Sequence, residues 1–562
     1  MRAITPSLTV FVAVALLAAA TPSAALRAEQ SRTAPRFYQD DPIARVPDTQ
    51  DASRVQAREL SLVYDASINL FGRPGLHEVG RAQSVNTIDE VPDSAWFTNR
   101  KALEPDAIRR GVTDDAGPVP GQWTVSRKSN GVSPGFTITD QRGRRYFVKF
   151  DPPGLPELAT GAEAVVTRLF HALGYYVPQL NIGTLRRENL VLGADATVRL
   201  PNGSRRRMRE ADLEEQLSRA ERNPDGTYRV SLAAALEGKP LEGFKYEGTR
   251  SDDPNDVVPH ENRRELRGLR VFSAWLNHTD AKAINSMDTL VAVNGRGIVR
   301  HNLIDFNAAL GSAGIGLRER RDGYEYLAEV GAAGKALPAF GFNPRGWMRI
   351  QYPAFRGIGR FESKAFEPEA WRPRVPNPAY VRSRPDDTFW AARKLMGLSD
   401  AVIRAAVQAG QYSDPHAEQF LGDALIERRD KIGRVWLTAV NPVIEPALAG
   451  NGTLTFRNAA VEYNFASAPD SYVVQWYRFD NATGTSEELG TTRGQPPFAA
   501  PGDMAGSFVR VDISAVHPDH PSWKQPVRVH FRRAAGGWQL VGFDRMPDAP
   551  PMRPGLVGAE VK

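Results

Sequence analysis

Between residues 122 and 150 apolar and polar positions alternate, the period-two signature of half-buried strands. Residues 122–126 and 136–139 flank the Gly/Ser-rich turn Asn130-Gly131-Val132-Ser133-Pro134-Gly135, and Arg145–Phe150 alternates as a third strand. The pattern then lengthens. Residues 157–173 predict a helix that stops at Gly174, where a left-handed cap belongs, and residues 175–182 return as a strand. A second helix is predicted over 260–276, because Leu266, Leu269, Phe272 and Leu276 recur at spacings of three and four. Beyond it, two β-rich runs, 289–293 and 298–304, flank Asn294-Gly295, the strongest short-range hairpin signal. Helices are predicted again at 386–397, 399–409 and 415–434, starting at Asp386, Ser399 and Ser413-Asp414-Pro415. From about residue 450 the texture is all-β, with a strand at 472–479 and a hairpin of 527–532 and 538–543 around Gly536-Gly537.

Residues 26–115 differ from the rest. They are rich in Asp, Pro and Arg with weak periodicity, and isolated aromatics such as Phe37, Tyr38, Trp96 and Phe97 predict an arm that packs onto a larger body. At 562 residues the chain exceeds a single core, and its 42 prolines and 48 glycines imply many loops. The formal charge of +6 is spread over both signs, so no nucleic-acid partner is expected. The basic run at 205–209 is followed at once by the acidic 210–215, which reads as a solvated surface segment.

The N-terminus reads as a secretory signal: Arg2, an uncharged apolar stretch over residues 8–20, and a cleavage site after Ala25, with Leu26-Arg27-Ala28 offering a later one. The apolar stretch is too short to span a bilayer, and no later segment is apolar enough. Cysteine is absent, which excludes disulfides, thiolate metal sites and a cysteine nucleophile. The histidines show no zinc-binding spacing, and no Gly-x-Ser-x-Gly elbow occurs. An exported protein, periplasmic or extracellular, without a stable membrane span is therefore expected.

The stretch richest in chemistry is His278-Thr279-Asp280-Ala281-Lys282-Ala283-Ile284-Asn285, followed after the hairpin by Ile304-Asp305-Phe306. It sets an acid, a lysine and an amide on one loop and a second acid at the hairpin's exit. That is the inventory for holding Mg²⁺ and a nucleotide while a phosphoryl group moves to a hydroxyl.

The order Asp-x-Lys-x-x-Asn, hairpin, Asp-Phe resembles the catalytic and metal-binding segments of the protein-kinase-like superfamily, and the looser patterns of HipA-type kinases and small-molecule phosphotransferases resemble it more than eukaryotic kinases do. The resemblance implies an α+β, two-lobed kinase-like fold over residues 116–440, with a β-rich small lobe and a helical large lobe. A C-terminal all-β, sandwich-like domain at 450–545 and a tail at 546–562 follow. It further implies ATP or another nucleotide and Mg²⁺ as cofactors. Lys149 would grip the phosphates and Glu163 would pair with it, while the turn of Gly131 and Gly135 would cover the phosphates. Asp280 would accept or orient the attacking hydroxyl, Lys282 would offset phosphate charge, and Asn285 and Asp305 would be the metal ligands. His278 is expected to hold its loop by hydrogen bonds.

The chain departs from the pattern at three places. No Gly-x-Gly-x-x-Gly precedes Lys149, Asn307 stands where glycine would follow Asp305-Phe306, and no Ala-Pro-Glu segment appears. The acceptor, protein or small molecule, is not specified. Two other readings stay open: an inactive kinase-like scaffold whose β-domain contacts a protein or glycan, and nucleotidyl transfer to a protein.

Overall fold

In the computed structural model, which describes residues 36–37, 48–58, 67–69, 79–101, 103–128, 133–200, 204–327, 345–502 and 504–550, the alternating segments form one large sheet. Strands β1 (Trp123–Lys128), β2 (Gly135–Thr139) and β3 (Arg145–Phe150) pair antiparallel in sequence. The helix α1 (Leu158–Leu173) follows, then β4 (Leu180–Leu185), β5 (Leu190–Arg199), β6 (Arg205–Arg207), the helix α2 (Glu210–Ser218) and β7 (Tyr228–Ala234). The seven strands lie in the order β4-β7-β3-β2-β1-β5-β6, with β1 and β5 parallel.

Alternation decides which face each residue takes. Tyr146, Val148 and Phe150 of β3 point into a core shared with Val230 and Leu232 of β7 and with Leu213 and Leu217 of α2. Gly135, Lys149 and Ser231 sit side by side in one row across β2, β3 and β7 and take the opposite face. Residues 205–215 are largely solvent-exposed, as their charges predict, with Met208 and Leu213 turned inward. Arg206 pairs with Asp212 on the outside, while the apolar side of α2 covers the sheet.

Nearly every side chain of α1 is buried, which fixes its rotation. Asp151, at the exit of β3, caps it by accepting from the backbone N–H groups of Ala159 and Thr160 at 2.8 and 2.9 Å. The helix ends at Gly174 with φ of 114°, and a Cβ there would come within 2.4 Å of the Phe97 ring. Glycine therefore both reverses the chain and admits the arm.

Strand β8 (Lys239–Glu242) precedes the helix α3 (Arg264–Trp275) and the hairpin of β9 (Ser286–Val293) and β10 (Arg296–Leu303). Asn294 and Gly295 both have positive φ, 50° and 76°, the twist a two-residue hairpin needs. Three further long helices, α4 (Pro385–Met396), α5 (Asp400–Gln408) and α6 (Pro415–Trp436), pack with α1 and α3 around one large apolar core. Arg428 of α6 donates to the carbonyls of Ala274 and Trp275, closing the C-terminus of α3 where the chain leaves for residues 277–285.

Where they are described, residues of the N-terminal segment pack into both cores. Trp96 and Phe97 lie in the large core, and Phe37 in the C-terminal part. Asp89 joins Asp386 and Asp387 around the fully buried Arg264, at 2.8, 3.0 and 3.0 Å.

After α6 come β11 (Val443–Leu448), β12 (Thr453–Asn458), β13 (Ser471–Phe479), β14 (Ser486–Gly494), β15 (Phe498–Ala499), β16 (Phe508–Val516), β17 (Val527–Ala534) and β18 (Gly537–Asp544). They form antiparallel sheets of three and five strands that share one core. Arg545 fastens these sheets to the helices: it lies over the ring of Phe389 at 3.8 Å and donates to Asn441 and Val443 carbonyls. No helix among the described residues is long and apolar enough to cross a membrane. The predicted signal segment 1–25, Tyr38, Gly131 and the tail from 551 onward lie outside the described residues.

Candidate active site

Lys149 is the meeting point. From the cleft face of β3 its Nζ lies 2.7 Å from Glu163 Oε1 and 2.7 Å from Asp305 Oδ1. Glu163 is placed by α1, and its second oxygen accepts from Ser231 Oγ at 2.6 Å, from the strand next to β3. Burial alone would lower the lysine's pKa, but Asp305 and then Glu163 outweigh it and hold the ammonium charged. A buried lysine without those acids would be costly, so the arrangement is a matched set.

Asp305 stands just past the end of β10 with φ of 64°, a left-handed conformation that few non-glycine residues take. Its side chain keeps 40 % exposure, in contrast to the 4 % of Glu163. The hairpin register pairs Leu303 with Ser286, and the Ile304 N–H donates to the carbonyl of Asn285 at 3.0 Å. The hairpin thus brings the loop that starts at His278 alongside Asp305.

Within that loop Asn285 Nδ2 donates to the Asp280 carbonyl at 2.7 Å and to its Oδ2 at 3.2 Å, and Lys282 forms an ion pair with Asp280 Oδ1. Burial works against the charge on Asp280. Lys282, and then Arg318, prevail and pull its pKa down to about 2. Sequence reasoning missed Arg318, which is buried and donates to Ala308 O at 3.0 Å.

His278 ties its loop to α3 through its backbone N–H, which donates to the Ser273 carbonyl at 2.8 Å, and not through ring Nδ1. Its Nδ1 has no partner, and burial lowers its pKa to about 4. The ring instead packs edge-on against Phe306 and Phe170, with centroids 5.6 and 6.0 Å away, while Phe170 stacks on Phe306 at 4.9 Å. Three rings therefore join the helix of Glu163, the loop of Asp280 and the segment of Asp305. The neutral imidazole serves packing.

Gly135 belongs to β2 and pairs with Lys149, so it is part of the sheet and not of the preceding turn. Ser133 is the turn residue that reaches the site: Asn307 Nδ2 donates to its Oγ at 3.2 Å. The residue standing in place of glycine thus links the turn to the segment after Asp305. Gly314 packs against both, since a Cβ there would lie 2.8 Å from Ser133 Oγ and 2.9 Å from Asn307 Nδ2.

Among the described residues no group of three or more His, Asp or Glu is placed to hold a metal ion. Asn285 and Asp305 come from segments joined by the Ile304 N–H to the Asn285 carbonyl, and Lys149 already shows that Asp305 accepts a cation. That donor set fits a hard ion that completes its shell with water and phosphate oxygens.

No family model matches the chain, and no curated protein matches it. Among solved structures the chain is similar to the Helicobacter pylori proinflammatory kinase CtkA, at 12 % identity over 57 % of this chain and 96 % of that one, with a TM-score of 0.32. It is also similar to the golgi casein kinase, at 10 % identity over 70 % and 94 % of the respective chains, with a TM-score of 0.29. Likeness at that level leaves the function to the site's own geometry.

Proposed function

We propose that the chain is an exported phosphotransferase of atypical protein-kinase-like fold that moves a phosphoryl group from a Mg²⁺-bound nucleotide to a hydroxyl. The observation that carries this reading is Lys149 held 2.7 Å from both Glu163 and Asp305, with Asp280 and Asn285 joined to the same hairpin end. The large sheet serves as the small lobe and the helices α1 and α3–α6 as the frame below it. The N-terminal segment behind the export proposal lies outside the described residues.

In this reading Glu163, fixed by Ser231, aims the Lys149 ammonium at the α- and β-phosphates. Asp305 and Asn285 hold the metal, which when bound supplies cancellation of charge on the phosphate oxygens. Asp280 orients the acceptor hydroxyl. A carboxylate with a pKa of about 2 is a weak base, so positioning is its main contribution and the proton leaves late. Lys282, paired with Asp280, offsets charge on the phosphoryl group in transit.

Thermal denaturation with Mg-ATP tests the proposal. The wild type is expected to melt higher with Mg-ATP than alone, and Asp305→Ala is expected to lose that gain. No stabilisation of the wild type, or an equal gain in Asp305→Ala, would overturn it.

A further inference from the structure

A second cavity, of about 390 Å³, opens in the helical part of the molecule. That volume is in the range of small-molecule sites. Its walls are aromatic: Tyr324, Trp347, Tyr352 and Trp371 all face it. Trp371 Nε1 donates to Asn277 Oδ1 at 2.9 Å, so that ring is fixed in place. Trp347 is half-buried, its Nε1 held by Glu325 at 2.7 Å.

Glu362 lines the same cavity and is 8 % exposed. Its Oε2 accepts from the Ala365 N–H at 2.7 Å, while its buried Oε1 has no partner. A buried carboxylate oxygen without a donor is expensive, and a ligand that brings an O–H or N–H relieves that cost.

Charge selects among ligands. Arg360 and Arg428 stand on the walls with Glu362, and Glu367 completes a balanced set of two cations and two anions. A lone ammonium would suit Glu362 but meet both guanidinium groups. An anion would suit the arginines but meet both carboxylates. A neutral polyhydroxylated ring suits these walls: its hydroxyls donate to Glu362 and accept from Arg360, and its C–H faces lie on the electron-rich faces of the aromatic rings.

We propose that this cavity binds a saccharide ring. The site does not depend on the phosphotransferase reading, and its occupancy is measured without nucleotide. The Trp371 contact to Asn277 places it directly behind the loop that carries Asp280.

The test uses the full chain and saturation-transfer NMR with a panel of neutral probes: methyl glucoside, galactose, N-acetylglucosamine, maltose and cellobiose. Choline chloride and inorganic phosphate serve as competitors. At least one saccharide is expected to receive saturation at its ring C–H protons, with neither competitor displacing it. Trp347→Ala, at the half-exposed lip, is expected to weaken binding at least about tenfold with an unchanged melting temperature, and Glu362→Gln to weaken it similarly. Where Glu362→Gln fails to fold, Trp347→Ala decides. The proposal is overturned if no saccharide binds, if choline or phosphate displaces it, or if Trp347→Ala binds as the wild type does, which would place the sugar elsewhere.

Discussion

Lys149 and Asp305, 156 residues apart in sequence, meet at 2.7 Å. One comes from the middle of the large sheet and the other from just past the β9/β10 hairpin, so the contact ties sheet to hairpin. Asp305 is also the more exposed of the lysine's two acids. Sheet and hairpin are therefore bridged by an ion pair whose carboxylate side is the one open to solvent.

The lysine and its exposed acid are not equivalent energetically. In Lys149→Met, Glu163 is left buried without its cation, and unfolding free energy is expected to fall by about 3–5 kcal/mol. Asp305→Asn removes a partly exposed partner and is expected to cost at most about 1 kcal/mol. Chemical denaturation of both variants checks the contrast. The raised pKa of Lys149 makes its contribution complete below about pH 10, fading only in stronger alkali.

Asp280 is expected to stay ionised throughout the working range. Its depressed pKa adds about 2 kcal/mol of stability, present above about pH 4 and lost as pH falls toward 2. The pH profile of turnover should accordingly show no acid limb from this carboxylate between pH 4 and 8. An acid limb near neutrality that disappears in Asp280→Asn would contradict the placement of Lys282 and Arg318 beside it.

His278 behaves in the opposite sense. Buried neutral with a pKa near 4, it costs stability when the unfolded chain takes up a proton that the folded protein refuses. The loss should begin near pH 6.5 and reach about 3 kcal/mol by pH 4. His278→Phe, which keeps a ring against Phe170 and Phe306, is expected to lack that part of the acid sensitivity and to retain turnover.

Much of this arrangement was readable as pattern. Arg145–Phe150, the helix after it, and the Asn-Gly hairpin each carry a strong local signal, and together they fix the order Lys149, Glu163, Asp280, Asn285, Asp305. What local signal cannot supply is the partner across the sheet. Ser231 reaches Glu163 because β7 inserts between β3 and β4, a pairing set by tertiary packing. The alternation of Tyr228, Val230 and Leu232 marks β7 as a strand but not its neighbours. The charges at 205–215 marked an exposed surface, but not the inward turn of Leu213, which shares one helix face with Leu217. The ring packing of His278 was out of reach for a related reason: it depends on Phe170, more than a hundred residues earlier in the chain.

The N-terminal arm is expected to act as part of the catalytic body. Trp96 stacks on His301 of β10 with centroids 3.5 Å apart, and Arg263 lies 4.6 Å over its other side. Trp96→Ala should cost about 3–5 kcal/mol by leaving a core cavity. Hydrogen exchange should also speed up in β10, the strand that delivers Asp305. Unchanged exchange there would confine Trp96 to general packing.

The most direct measurement is transfer of label from ATP carrying distinguishable α- and γ-phosphates, with purified full-length chain, Mg²⁺ and hydroxyl-bearing acceptors, the chain itself included. The expected result is movement of the γ-label with the α-label left on the nucleotide. Asp280→Ala should reduce it at least about a hundredfold while still binding nucleotide. Movement of the α-label would mean nucleotidyl transfer, and movement of neither would mean a scaffold; either result, or full γ-transfer by Asp280→Ala, would contradict the role assigned to this cleft.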